Sequence, residues 1–167
     1  MEAVCTLSVT DFILNSLQKK PFCLSKSLNE SSIILVFFRT TCPACQLLFP
    51  YLERIHSYYP IQPIYGISQD SEVTTREFAA RYAIEFPVLL DESCYVSEEF
   101  GIRVVPTLLW VESDMSVSYS ANGFSKEELN FLGAQIVKRY RQESIPIAAE
   151  DDGAPMAKIG SSCKRPS

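Results

Sequence analysis

Two cysteines separated by two residues, Cys42 and Cys45, stand where the apolar run at 33–38 ends and a helical pattern begins. Thiols at that spacing sit one helical turn apart, which is the arrangement for dithiol to disulfide chemistry. The first lies at a helix N-terminus, where unpaired backbone N–H groups and the helix dipole favour a thiolate. The second is within reach of a mixed disulfide formed on the first. Pro43 suits the first helical turn, since it has no N–H to leave unpaired and its φ is already helical. A disulfide spanning two residues closes a very small loop and removes little entropy from the unfolded chain, so the pair suits chemistry better than bracing. Half of a zinc site is the other reading, and it needs two more ligands at a plausible spacing. Cys5, Cys23, Cys94 and Cys163 stand singly, and the only histidine, His56, falls inside the helical pattern. No metal and no cofactor is assigned.

The elements that must position these thiols alternate between strand and helix. Residues 33–38 read as a buried strand, and Leu48, Leu52, Ile55 and Tyr59 recur at helical spacing until Pro60. Strands are expected at 64–68 and 86–90, with a helix over 71–82 opened by Thr74 and Glu77 as a capping box. Residues 108–112 and 117–120 read as a hairpin. Ser125 and Glu128 open a final helix carrying Leu129, Leu132, Ile136 and Tyr140 on one face. Upstream, residues 10–19 read as an amphipathic helix ended by Pro21. Beyond Gln142 the pattern fails, and residues 143–167, with three prolines and many small or charged side chains, read as a flexible tail. The expected division is a domain over 1–142, with an N-terminal extension at 1–23, and that tail.

A second cluster lies about sixty residues after the dithiol, where Val104-Val105-Pro106-Thr107 enters the apolar run Leu108-Leu109-Trp110-Val111. A strand, Cys-Pro-Ala-Cys, a helix with Pro50 five residues after the second cysteine, and a later Val-Pro-Thr entering a strand together resemble the thioredoxin superfamily. The longer spacing, with its added helix and strand, is similar to the redoxins, the group that holds TlpA-like thiol-disulfide oxidoreductases and the AhpC/TSA-related peroxiredoxins. The resemblance covers roughly residues 24–142. It implies an α/β thioredoxin-like fold with a central mixed β-sheet flanked by helices. It also implies a cis bond before Pro106, facing the dithiol, with Val105 offering backbone hydrogen bonds to a substrate strand. Thr41 and Pro43 would border that substrate.

The expected activity is thiol-disulfide exchange: Cys42 attacks a substrate disulfide, and Cys45 then attacks Cys42 and releases the reduced product. Three positions depart from the relatives. Thr41 stands where thioredoxins carry Trp, Val36 where they carry a buried Asp, and Leu48 where TlpA-like reductases often carry Glu. Neither usual base is present, so another group or water must take the Cys45 proton. A peroxiredoxin-like peroxidase with Cys42 as peroxidatic thiol is the enzymatic alternative, although Leu35 and Arg39 occupy the positions of that family's Pro and Thr. A non-enzymatic module, holding a soft metal or docking a partner, is the third. Cys94 and Cys163 are candidate accessory thiols, and Cys163 on a mobile tail could shuttle electrons to the Cys42–Cys45 disulfide. His56 and Trp110 read as structural.

Composition fits one ordinary domain: 167 residues, 47% hydrophobic and 21% charged. A formal charge of -5, with no basic patch and no Gly-rich phosphate loop, argues against a nucleic-acid partner. No stretch is long enough to span a bilayer, and the acidic residues Glu2 and Asp11 spoil any signal-peptide pattern, so the expectation is a cytoplasmic protein without a membrane partner. Expected partners are a disulfide-containing protein or small molecule and a thiol electron donor such as a reductase or glutathione.

Overall fold

Residues 10–19 form no helix. The structure, a computed structural model, describes residues 8–164, and here the chain makes an antiparallel hairpin of β1 (Ile13–Asn15) and β2 (Pro21–Cys23). Phe12 and Ser16 are buried while Ile13 and Asn15 face solvent, so the true period is two and not 3.6. The triplet Phe12-Ile13-Leu14 satisfies either period, and the left-handed turn residue Lys19 decides for the hairpin. Asp11 then reaches across to α1 (Leu24–Leu28): its carboxylate accepts from Ser25 N at 2.8 Å and from the Ser25 hydroxyl at 2.7 Å. Those bonds hold its pKa below the usual value and satisfy a helix N–H that the N-cap Cys23 leaves without a side-chain partner. Cys5 lies outside the described residues, while Cys23 is half-buried beside Asp11 and Ser25.

β3 (Ile33–Phe38) is buried at every residue, as a strand covered on both faces must be. The chain continues through α2 (Pro43–Tyr58), β4 (Ile64–Ser68), α3 (Glu72–Arg81), β5 (Val88–Leu90), α4 (Tyr95–Glu99) and β6 (Val104–Val105). It then enters β7 (Thr107–Val111), β8 (Val117–Asn122), β9 (Phe124–Ser125) and α5 (Lys126–Tyr140). The main sheet has the order β5-β4-β3-β7-β8, with β4 parallel to β3 and β7 antiparallel to it. This is the α/β thioredoxin-like fold with a central mixed sheet flanked by helices.

Neighbouring residues of β3 serve opposite faces. Phe38 lies against Phe49 of α2 and Phe78 of α3, with ring centroids 4.3 and 5.2 Å away. Phe37 meets Phe100, which packs on Phe12 of the N-terminal segment. Two expected boundaries shift for local reasons. Pro87 has no N–H for a ladder, so the strand begins at Val88 and not at Phe86. Ser71, not Thr74, caps α3, its hydroxyl accepting from Thr74 N at 3.3 Å. Ser125 caps α5 by accepting from Glu128 N at 3.2 Å. Trp110 is buried, donates to Ser32 Oγ at 2.9 Å and lies under the Arg139 guanidinium at 4.4 Å. His56 is half-buried with its ring edge toward Phe86.

The segment after α5 is not a flexible tail over the described residues. Ile147 and Ala148 are buried, 1% and 5% exposed. Tyr59 Oη accepts from Ile145 N, Arg54 donates to the Ile147 carbonyl, and the Asn130 amide pairs with both backbone groups of Ala148. Lys126, 1% exposed, sends its ammonium to the Ala149 and Glu150 carbonyls and to Asp152 at 2.8, 3.2 and 2.6 Å. The chain then forms β10 (Ala157–Lys158) against β9 and β11 (Ser161–Ser162) against β6. The anchors are polar groups on α2 and α5, so no apolar periodicity in the segment announces them. Among the described residues no helix is long and apolar enough to cross a membrane.

Ile147 lies directly over Gly133 of α5, where an added Cβ would stand 2.8 Å from Ile147 Cγ1. Replacing Ile147 by Ala should therefore cost about 2–5 kcal/mol in urea unfolding. A loose tail would give a change within about 0.5 kcal/mol.

Candidate functional site

The turn at 39–42 is fixed before the helix starts. Cys42 N donates to the Arg39 carbonyl at 3.3 Å, Thr40 N to the Asp70 carboxylate at 2.6 Å, and Gln46 Nε2 to the Thr40 carbonyl at 2.9 Å. Asp70 arrives because β4 runs parallel to β3 with Phe38 opposite Ser68, so the residues after both strands emerge at the same edge of the sheet. Cys42 is the N-cap of α2, with Pro43 at the first helical position. Its Sγ accepts from Cys45 N at 3.2 Å, which places the sulfur on one of the helix's unpaired donors.

Val105 and Pro106 form the facing wall, and the bond between them is cis. Thr107 Oγ1 donates to the Val104 carbonyl at 2.7 Å and Gly123 N to the Pro106 carbonyl at 2.9 Å, so the loop is braced from both sides. Cys42 Sγ lies 3.4 Å from the Val105 carbonyl oxygen, to which the thiol form donates. Cys42, Cys45, Val105 and Pro106 thus come together in one place. Thr41 and Pro43 lie at the exposed rim beside Cys42.

The two thiols have opposite acidities. The Cys45 thiol donates to the Cys42 sulfur and brings the Cys42 pKa from an ordinary 9.0 to about 5, against the opposing effect of burial. The Ser161 hydroxyl, the Cys45 N–H and the Ser161 main chain add to the lowering. Cys45 is 0% exposed, and burial first, then its bond to Cys42, drive its pKa far up. Repulsion from the Cys42 and Asp70 charges pushes the same way, while the Arg39 backbone opposes it. At neutral pH the pair is therefore a thiolate beside a thiol, a nucleophile and a proton-bearing partner within hydrogen-bond reach.

Ser161 belongs to β11, where it sits opposite Val105 in an antiparallel pair. The C-terminal strand therefore occupies the edge that the resemblance assigned to a substrate strand. Gly160 makes that closeness possible, because a Cβ there would collide with the Val105 carbonyl oxygen. Arg39 donates to the Ser162 carbonyl at 3.3 Å and Cys163 N to the Arg103 carbonyl at 3.1 Å. Under this cover Cys42 is only 2% exposed. Cys94 and Cys163 are not beside the dithiol but line one separate cavity. Sequence reasoning missed Ser161, Gly160 and Asp70. The parallel register of β3 and β4 is the signal that would have found Asp70, whereas β11 has no repeating pattern to read.

The family model for AhpC/TSA matches residues 7–120, a range that includes Cys42, Cys45, Asp70, Val105 and Pro106 but not Gly123, Gly160 or β11. The thiol-disulfide oxidoreductase ResA of Halalkalibacterium halodurans is 26% identical over 122 residues, 71% of this chain and 69% of the relative. A secreted Mycobacterium tuberculosis disulfide oxidoreductase homologous to E. coli DsbE superposes with a TM-score of 0.65 at 19% identity, over 76% of this chain and 95% of that one. Peroxidoxin BcpB from the same organism superposes with a TM-score of 0.69 at 20% identity, covering 82% and 97%.

Alkylation of Cys42, followed against pH by mass spectrometry, should rise with a midpoint near 5, and Cys45→Ala should move that midpoint upward. Since the folded pKa is below the ordinary 9.0, the unfolded chain binds the extra proton between those values. The group's contribution to stability is complete above about pH 9, declines as the pH falls and is gone below about 5. A Cys42 midpoint near 9 would contradict the hydrogen-bond account.

Proposed function

The chain belongs to the AhpC/TSA family of thiol-based oxidoreductases, and on that premise we propose that it is a thiol-disulfide oxidoreductase with Cys42 as nucleophile and Cys45 as resolving thiol. The observation that carries the reading is the placement of the pair: Cys42 Sγ at the N-terminus of α2 accepts from Cys45 N at 3.2 Å, Cys45 is fully buried one turn on, and the cis Val105–Pro106 bond faces them. A peroxidase needs one activated cysteine and a pocket for peroxide. A second thiol one helical turn from the first is instead what exchange requires. The name and 26% identity of the bacillary relative support the same reading.

The Cys42 thiolate attacks one sulfur of a substrate disulfide, forming a mixed disulfide and expelling the other sulfur as a thiolate, which takes up a proton. The negative charge on Cys42 is thereby lost. The chief hydrogen-bond acceptor of the Cys45 thiol goes with it, and so does one of the charges that opposed its ionisation. Cys45 then gives its proton to the Asp70 carboxylate, directly or through water, and attacks Cys42 Sγ. The reduced substrate leaves and a Cys42–Cys45 disulfide remains, to be reduced in turn by a thiol donor. Asp70 fills the place of the bases missing at Val36 and Leu48. The Val105 backbone receives an extended segment of substrate, a peptide or protein disulfide, once β11 has moved aside.

A Cys45→Ser variant mixed with a disulfide-bonded peptide should accumulate a covalent adduct on Cys42, one per chain, while Cys42→Ser gives none. Asp70→Asn keeps the acceptor for Thr40 N and removes the base, so quenched-flow mass spectrometry should find resolution slowed roughly a hundredfold with adduct formation little changed. Rapid consumption of hydrogen peroxide with no trapped adduct would overturn the reading in favour of a peroxidase.

A further inference from the structure

Cys94 and Cys163 share a cavity of about 150 Å³ with Ser97, Ile102, Arg103 and Lys164. They come from separate parts of the chain. Cys94 is the N-cap of α4, is 1% exposed and holds a left-handed backbone at φ 62, with its N–H on the Asp91 carbonyl. Cys163 is half-buried and follows directly after β11. Its backbone is pinned by the Arg103 carbonyl, and the next residue by Gln69 and Glu92: Lys164 N donates to Gln69 Oε1 at 3.0 Å and Lys164 Nζ to the Glu92 carbonyl at 3.2 Å. Both thiols are free, and neither takes part in the exchange at Cys42.

We propose that Cys94 and Cys163 form a second redox pair, whose disulfide latches the C-terminal strand in place over Cys42. Both residues line one cavity, Cys163 directly after β11 and Cys94 directly before α4. Burial raises both thiols, and the Asp91 charge adds to it at Cys94; Lys164 and Arg39 oppose the rise at Cys94, and Gln69, Arg39 and Arg103 oppose it at Cys163. Arg103 and Lys164 line the same cavity and supply positive charge for a thiolate formed there.

The oxidant is a low-molecular-weight disulfide. Cys163, as thiolate, attacks one of its sulfurs, forming a mixed disulfide and releasing one small thiolate, which is protonated. Cys94, as thiolate, then attacks Cys163 Sγ and expels the second small thiol. Two protein thiols are oxidised, one small disulfide is reduced to two thiols, and the two protons lost by the protein are carried by them. Ser161, which touches Cys42, lies two residues before Cys163. A covalent bond at 163 therefore opposes the displacement of β11 that a substrate strand requires, and access to Cys42 follows the redox poise.

The consequence for access rests on the exchange reading of Cys42, but the latch itself does not. It is tested on the full chain carrying Cys42→Ser and Cys45→Ser, equilibrated with reduced and oxidised glutathione and mapped by peptide mass spectrometry. The expected result is a Cys94–Cys163 cross-link, together with amide hydrogen exchange over residues 160–163 slowed about tenfold or more on oxidation and restored by dithiothreitol. Adding Cys163→Ser should keep exchange at the reduced level in every buffer. Glutathione adducts on the separate cysteines with no cross-link, or a cross-link with unchanged exchange, would overturn the proposal. Because the sulfurs of Cys42 and Cys45 are absent, neither result depends on whether that pair exchanges disulfides.

Discussion

The negative charge on the Cys42 sulfur depends on the donors that converge on it from the first turn of α2 and from β11. A sulfur that is 2% exposed would ordinarily be held protonated by its surroundings. Here the Cys45 S–H, the N–H of the same residue and the Ser161 hydroxyl outweigh that cost and carry the pKa down to about 5. The same burial, with no comparable set of donors, sends Cys45 in the opposite direction. Two chemically identical side chains thus become a nucleophile and a reserve proton carrier. In the proposed exchange this difference reverses once Cys42 is consumed, because Cys45 then loses both its acceptor and a neighbouring negative charge. Strand β3, buried on both faces, and the Asp70 brace on Thr40 hold the turn in which these donors can converge.

The C-terminal segment enters the same balance from outside the core. It contributes Ser161 to the thiolate and also shuts the thiolate away from solvent, so the group that activates the nucleophile covers it as well. Its attachment has two grades. Residues 145–152 are held by buried groups, Ile147 on Gly133 and the Lys126 ammonium among carbonyls and a carboxylate. Residues 160–164 are held by a two-residue ladder and a few side-chain contacts. Opening at the site is therefore easier than release of the segment, as local opening free energies vary with the number of buried contacts.

Much of the sheet was readable from the chain because its signals are continuous. Six apolar residues at β3 end on the dithiol, α2 and α5 carry their apolar residues at helical spacing, and Ser125 marks where α5 begins. The N-terminal segment misled because three adjacent apolar residues fit both periods, and one left-handed lysine settled the matter. The C-terminal segment misled for another reason: Asn130, Arg54, Tyr59 and Lys126 hold it through polar atoms. Polar atoms on a helix are indistinguishable in sequence from solvated ones. Asp70 needed the register of two strands, and Ser161 needed the whole fold, before either could be placed near sulfur.

The proposed exchange requires Cys42 and Cys45 to act as one two-electron couple, and the most direct measurement is their thiol state across a series of glutathione buffers. With Cys94→Ser and Cys163→Ser removing the other described thiols at that end of the molecule, mass spectrometry of the alkylated protein should find one transition. It should take both cysteines from free to mutually linked, with little glutathione adduct at the midpoint. A Cys42 that collects glutathione while Cys45 stays free at every poise would contradict it.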